Sequence, residues 1–227
     1  MATMLKPGEE VVVKVGREEI KTSTVAFILP TQILNLAAML LIVSIFLPYW
    51  QMELKAPQYP KGLHVQVYVN KMTGDVNEVD ALNHYIGMPK LEEAAKLERS
   101  FSAIALVALA LLLMAGAFIH NQWAGILALP VLLYPAIFLG DMAYWLYTFG
   151  HNLDPHAALS SSIKPFTPPV LGEGVIGQFR TVASIDAGLG LAIVASVVIL
   201  IGLWFHRRAY KPLVDARKRQ WAVGSRR

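Results

Sequence analysis

The sequence predicts an all-α membrane protein, a bundle of four transmembrane helices with a small extracytoplasmic β-hairpin and a long proline-rich outer loop. Three observations support this prediction. Of the 227 residues, 55% are hydrophobic and only 16% are charged, and the mean hydropathy is +0.47. The apolar residues form four long runs, and a helix needs about 20 such residues to cross a bilayer. Lysine and arginine are unevenly distributed among the segments that flank the runs.

This composition argues against a soluble enzyme, a disordered linker and a nucleic-acid-binding protein, because average soluble chains carry about a quarter charged residues. The chain has no cysteine. Disulfides, thiolate metal sites, cysteine-ligated iron–sulfur clusters and cysteine nucleophiles are therefore excluded.

The four apolar runs and the segments between them give the predicted organisation. In chain order the predicted segments are a cytoplasmic N-terminal segment (1–24), the first span (25–49), a hairpin segment (50–100), the second span (101–119), the third span (123–148), a Pro/Gly-rich segment (149–184), the fourth span (185–206) and a basic tail (207–227). Aromatic residues at the ends of three spans are typical anchors at the headgroup level: Tyr49, Trp50, Tyr144, Trp145, Tyr147 and Trp204.

The distribution of basic residues predicts the orientation of the chain. The N-terminal segment and the tail together carry twelve lysines and arginines, and the two long segments between spans carry eight. Short cytoplasmic segments are enriched in these residues. We therefore expect both termini in the cytoplasm and both long segments outside it.

The first long segment contains a strand pattern. Residues 63–69 alternate between apolar and polar side chains, 70–74 offer turn residues, and 75–79 provide a returning strand. Pro89 is suited to begin a helix that runs into the second span. Alternating valines also predict a small hairpin near residues 9–24.

The second long segment is rich in proline and glycine. Three prolines lie within residues 165–169, so this stretch is expected to be extended. A segment of this length with apolar residues is typically a packed loop that serves a function or an interface.

Four histidines lie in the outer segments, together with several methionines. Imidazole and thioether are ligands that suit copper in either oxidation state, and the candidates are His64, His84, Met88, His151 and His156. Their spacing is not diagnostic. Histidines at the surface or in ordinary hydrogen bonds are the simpler interpretation, and copper ligation is the alternative.

The other two histidines, His120 and His206, lie at the predicted cytoplasmic ends of spans. A cytochrome that carries electrons across the bilayer needs histidine pairs within its helices, and that pattern is missing. One haem on His120 and His206 is an alternative, which the ordinary polarity of span ends disfavours.

Asp141 is the single carboxylate well inside a predicted span, and such groups normally face the bundle and find a partner. Pairing with Arg180 or Lys164 is the structural interpretation, and a proton relay or an ion site is the alternative. No nucleophile with a base, paired-carboxylate site or nucleotide motif is present, so an independent enzyme is not predicted.

Several short stretches resemble a known family. They are 59–63, 68–70, 74–76, 82–88, 153–155 and 163–169. They resemble an uncharacterised family of four-span membrane proteins associated with bacterial nitrous-oxide-reductase gene clusters, beside copper-delivery factors. The resemblance covers roughly residues 25–206 and brings no catalytic motif.

The resemblance implies a multi-pass protein of the bacterial cytoplasmic membrane that serves a periplasmic copper enzyme in maturation, copper supply or electron delivery. Its expected partners are the lipid bilayer and proteins, not nucleic acid, and copper is the cofactor it suggests. A cofactor-free structural subunit of a respiratory or oxidase-like complex and a proton or ion pathway through Asp141 are the alternatives.

Overall fold

A computed structural model describes residues 10–15, 18–119, 123–159 and 161–224. The elements in chain order are β1 (Glu10–Val15), β2 (Glu18–Ser23), α1 (Thr24–Ser44), β3 (Trp50–Ala56), β4 (Tyr59–Val67), β5 (Met72–Gly74), α2 (Val76–Ile86), a 3₁₀ turn (Leu91–Glu93), α3 (Lys96–Gly116), α4 (Trp123–His151), β6 (Gly172–Ile176), β7 (Phe179–Ile185) and α5 (Ala187–Gly224).

The four predicted spans are confirmed as helices. In the described part of the chain, α1, α3, α4 and the Ala187–Trp221 part of α5 are long and apolar enough to cross a membrane. The chain therefore has the make-up of a multi-pass membrane protein. Its helix bounds differ from the predicted spans, because α1 ends at Ser44, α3 begins at Lys96 and α5 continues through the basic tail.

The expectation of an all-α fold is wrong, since the described residues also form seven strands in two sheets. Strands β1 and β2 pair as the antiparallel hairpin predicted near the N-terminus. The other five form one antiparallel sheet in the order β5-β4-β3-β7-β6.

The prediction of a returning strand at residues 75–79 of the first long segment is wrong. Strand β4 pairs mainly with β3, whereas residues 76–79 begin helix α2. The chain turns at Gly74, whose φ is 96°, and a side chain there would meet the His64 carbonyl oxygen at 2.1 Å. Asp75 then accepts a hydrogen bond from the His64 N–H at 2.8 Å. These contacts end β5 after three residues.

Pairing between β3 and β7 joins the two long segments. Its register runs from Trp50 opposite Ile185 to Lys55 opposite Arg180. The two segments therefore form one sheet, as is expected of segments separated by an even number of spans. The proline-rich stretch is packed as expected, because the Trp50 Nε1–H donates to the Val170 carbonyl at 2.6 Å and the Phe166 N–H donates to the Gly150 carbonyl at 3.0 Å.

Two of the predicted headgroup anchors are instead buried in protein. Tyr49 is fully buried and its hydroxyl lies 2.6 Å from the Ser44 Oγ, and Trp50 is 3% exposed in the core of the sheet. They mark the start of β3 rather than the end of a span. Tyr144, Tyr147 and Trp204 are exposed, as anchors require.

The chain divides into two compact units. The first contains residues 1–40, 108–132 and 194–227, and the second contains 41–107 and 133–193. The first unit has an apolar core of small and branched residues, among them Ala37, Leu113, Val131 and Ile199. In the second unit, the inner face of the five-stranded sheet packs with partly buried side chains of α4 such as Phe138 and Met142.

Candidate functional site

The five-stranded sheet has one polar face. Alternation along the strands buries Trp50, Leu54, Leu63, Val65 and Val67 on the inner face. The other face carries the polar side chains, which are Gln51, Glu53, Lys55, His64, Gln66, Arg180 and Ser184. We call this the polar face of the sheet.

His64 lies within that face. It is exposed on β4, directly opposite Glu53 on β3. The Glu53 carboxylate is 3.3 Å from the Lys55 Nζ, and Gln51 donates to the Ser184 Oγ at 3.2 Å. Arg180 pairs with Glu173 across the β6–β7 hairpin. The face therefore carries side chains of both charges and the imidazole of His64.

A cleft lies between the C-terminal end of α2 and the segment that follows α4. Its volume is about 690 Å³. The side chains and backbone that line it belong to residues 84–93 of the first long segment and 152–158 of the second, and include His84, Met88, Glu93, Asp154 and His156. We call this the α2 cleft.

Gly87 lines the α2 cleft and joins the two long segments there. This glycine ends α2 in the left-handed region, with φ of 80°, and its carbonyl accepts the Asp154 N–H at 2.8 Å. A Cβ at Gly87 would lie 2.7 Å from the Asp154 carbonyl oxygen. A second backbone bond joins the Leu159 N–H to the Tyr85 carbonyl at 2.9 Å. The two long segments are thus fixed against each other at the cleft.

Asp154 orients His156 in the cleft. Its Oδ1 accepts the His156 N–H at 2.9 Å and lies 3.3 Å from the His156 Nδ1. The first of these bonds holds the pKa of Asp154 below its usual range. An ionised carboxylate can only accept, so the contact with Nδ1 is a hydrogen bond in which the imidazole Nδ1–H is the donor. A carboxylate on the second ring nitrogen is the arrangement that orients metal-ligating histidines.

Asp80 joins α2 to the turn that contains Glu93, one of the residues that line the cleft. Its Oδ1 accepts the Leu91 N–H at 2.7 Å, which ties α2 to the 3₁₀ turn that follows it. Burial raises the pKa of Asp80 above its ordinary value.

The structure brings together three of the five predicted metal ligands. His84, Met88 and His156 line the α2 cleft. His64 lies on the sheet, and His151 ends α4, where its Nδ1 is 2.9 Å from the Tyr147 carbonyl and its ring stacks on Tyr147 at 4.0 Å. Within the described ranges, no group of three His, Asp or Glu side chains is poised to hold a metal ion.

The histidines of the haem alternative fall differently. His120 lies outside the described residues. His206 is 4% exposed in α5, with its ring 4.7 Å from that of Tyr210. The haem pairing stays a prediction.

Asp141 is partly buried on α4. The ion pairs Lys55–Glu53, His156–Asp154 and Arg180–Glu173 do not involve Asp141. Arg180, one of its two predicted partners, pairs with Glu173 instead, and Lys164 is exposed.

The sequence interpretation missed Asp154 and Gly87 as residues that build the cleft. The signals were present as an Asp-Pro pair after α4 and a glycine at a helix end. Their contact was not readable, because it joins segments far apart in the chain.

Comparison of the chain with protein-family models, curated proteins and solved structures finds no match.

Proposed function

We propose that this protein is an accessory component of the bacterial cytoplasmic membrane that presents the polar face of the sheet and the α2 cleft to a periplasmic copper enzyme or to its maturation and electron-delivery factors. In this role the α2 cleft receives Cu(I) and hands it over. The protein is not itself an enzyme in this account.

The observation that carries the proposal is that His84, Met88 and His156 line the same cleft. These residues come from both long segments, and they supply two imidazoles and a thioether. Thioether and imidazole are ligands that suit Cu(I). All three side chains are at least partly exposed, which fits a site that must release its ion to a partner.

The orientation of the chain supports the same role. The β3–β7 pairing joins both long segments in one sheet, and the excess of basic residues on the N-terminal segment and the tail favours the periplasm as the location of that sheet. The polar face of the sheet then meets the compartment in which the resemblance places the copper enzyme.

The absence of native cysteine permits a clean test of orientation. The two labelling variants are Tyr85→Cys and Trp221→Cys. Tyr85 is exposed at the cleft, and Trp221 is exposed near the end of α5. A membrane-impermeant maleimide added to intact spheroplasts should label the first variant, and should label the second only after permeabilisation. The reverse pattern would overturn the proposal.

Docking is tested by a photo-crosslinking residue at position 64, with position 221 as the matched control. Cross-linking at position 64 to a copper-containing enzyme or its assembly factor is expected, without a product at 221. Recovery of a stoichiometric complex with other membrane subunits, at native abundance and without copper transfer, would favour the alternative of a structural subunit.

A further inference from the structure

A groove in the first unit lies between the beginning of α4 and the C-terminal half of α5. Its volume is about 770 Å³. Trp123, Ala124 and Gly125 form the α4 side, and one face of α5 between Leu203 and Lys218 forms the other. We call this the tail groove.

The α5 side of the tail groove is basic. Arg207, Lys211 and Lys218 are separated by four and seven residues, so they lie along one helical face, and all three are exposed. Asp215 is the acidic residue among the lining side chains, which leaves two net positive charges there.

The α4 side adds features suited to an anion at a membrane surface. The groove is lined by the first three residues of this helix of 29 residues, where backbone N–H groups favour negative charge. A Cβ at Gly125 would meet nothing within 4 Å, so the backbone there is open to approach. Trp123 is 55% exposed at the first residue of the span, which is typical of the headgroup level.

We propose that the tail groove binds the phosphodiester headgroup of an anionic phospholipid. Basic pockets between transmembrane helices take such headgroups. A free phosphate ion shares this chemistry, but the groove also has apolar walls at Leu203 and Val214 beside the charges, which favour a ligand with acyl chains. The site is independent of the copper role proposed above.

The test uses the full chain, purified in detergent and examined by native mass spectrometry with dioleoyl phosphatidylglycerol, dioleoyl phosphatidylcholine or inorganic phosphate as the probe. The groove variant is Arg207→Gln with Lys211→Gln. The control variant, Arg208→Gln with Arg217→Gln, removes the same charge from α5 at residues that do not line the groove.

We expect one phosphatidylglycerol to be retained in preference to phosphatidylcholine, with binding at least about tenfold weaker in the groove variant and changed no more than about twofold in the control. Equal retention of the two lipids by the unaltered protein would overturn the proposal, whatever the variants show. An equal loss of phosphatidylglycerol binding in the groove variant and the control variant would show that the overall charge of the tail determines binding. That result would also overturn the proposal. Displacement of the lipid by millimolar inorganic phosphate would identify a free-anion site instead.

Discussion

The Asp154 N–H donates a hydrogen bond of 2.8 Å to the carbonyl oxygen of Gly87, and this bond joins the two long segments of the chain at the α2 cleft. Gly87 can occupy this position because its φ of 80° and its lack of a Cβ leave room for the Asp154 backbone. The copper site that we propose depends on this junction, since His84 and Met88 lie on one side of it and His156 on the other.

Gly87→Ala is expected to open the cleft. A methyl group would clash with Asp154 and would also strain a positive φ, so we expect a loss of about 2–4 kcal/mol in unfolding free energy. Gly172→Ala is the matched control, because Gly172 has φ of 92° and nothing within 4 Å of an added Cβ. Thermal unfolding in detergent measures both. Equal destabilisation of the two variants would show that the Asp154 contact contributes nothing.

The buried hydroxyls of Ser44 and Tyr49 form a hydrogen bond whose donor and acceptor can be assigned. Ser44 donates to the Leu41 carbonyl at 2.6 Å, so the Tyr49 hydroxyl donates to Ser44. Ser44→Ala removes the acceptor of a fully buried donor and should cost about 1–3 kcal/mol, more than Tyr49→Phe.

A double-mutant cycle checks this direction. The variant with both changes should be no less stable than Ser44→Ala alone, and the coupling should be about 1 kcal/mol. Ser100→Ala is the control, because Ser100 makes the same bond to a carbonyl three residues earlier but is exposed. Additive losses in the cycle would contradict the assigned pair.

Asp80 should make the unfolding free energy of the protein fall as the pH rises. Its pKa is raised by burial, so the folded chain holds this proton more tightly than the unfolded chain does. Its contribution is therefore fully present below the ordinary aspartate pKa of about 3.9 and is lost as the pH rises through the raised value. Asp80→Asn keeps an oxygen for the Leu91 N–H and should flatten the fall in melting temperature between pH 4 and pH 7. An unchanged slope would contradict this effect.

Asp141 is expected not to conduct protons. Apart from Thr24, His206 and the Asn35 Oδ1, the buried groups in the described part of the first unit are apolar, and apolar side chains offer no hydrogen-bonded path for a proton. Proteoliposomes that contain a pH-sensitive dye should leak at the same rate with the unaltered protein, with Asp141→Asn and with no protein. A leak that the unaltered protein causes and Asp141→Asn abolishes would establish the alternative function.

The sequence predicted the spans well because about 20 apolar residues in a row admit few other structures in a membrane protein. It did not predict β3, since Tyr49 and Trp50 extend the apolar run of α1 and their burial depends on partners such as Val170 and Ile185. Periodicity reports which residues share a face, but not which distant strand pairs with it. The same limit applies to the cleft, because the segments that carry His84 and His156 are joined by backbone bonds at Gly87 and Tyr85, between residues far apart in the chain.

The most direct test of the central claim is Cu(I) binding to the purified full chain, measured by competition with a chromophoric Cu(I) chelator under anaerobic conditions. We predict one Cu(I) per chain, with affinity at least about tenfold lower in His84→Ala/His156→Ala and unchanged in His64→Ala/His151→Ala, which removes two imidazoles outside the cleft. A chain that retains no Cu(I), or an equal loss in the two double variants, would contradict the account.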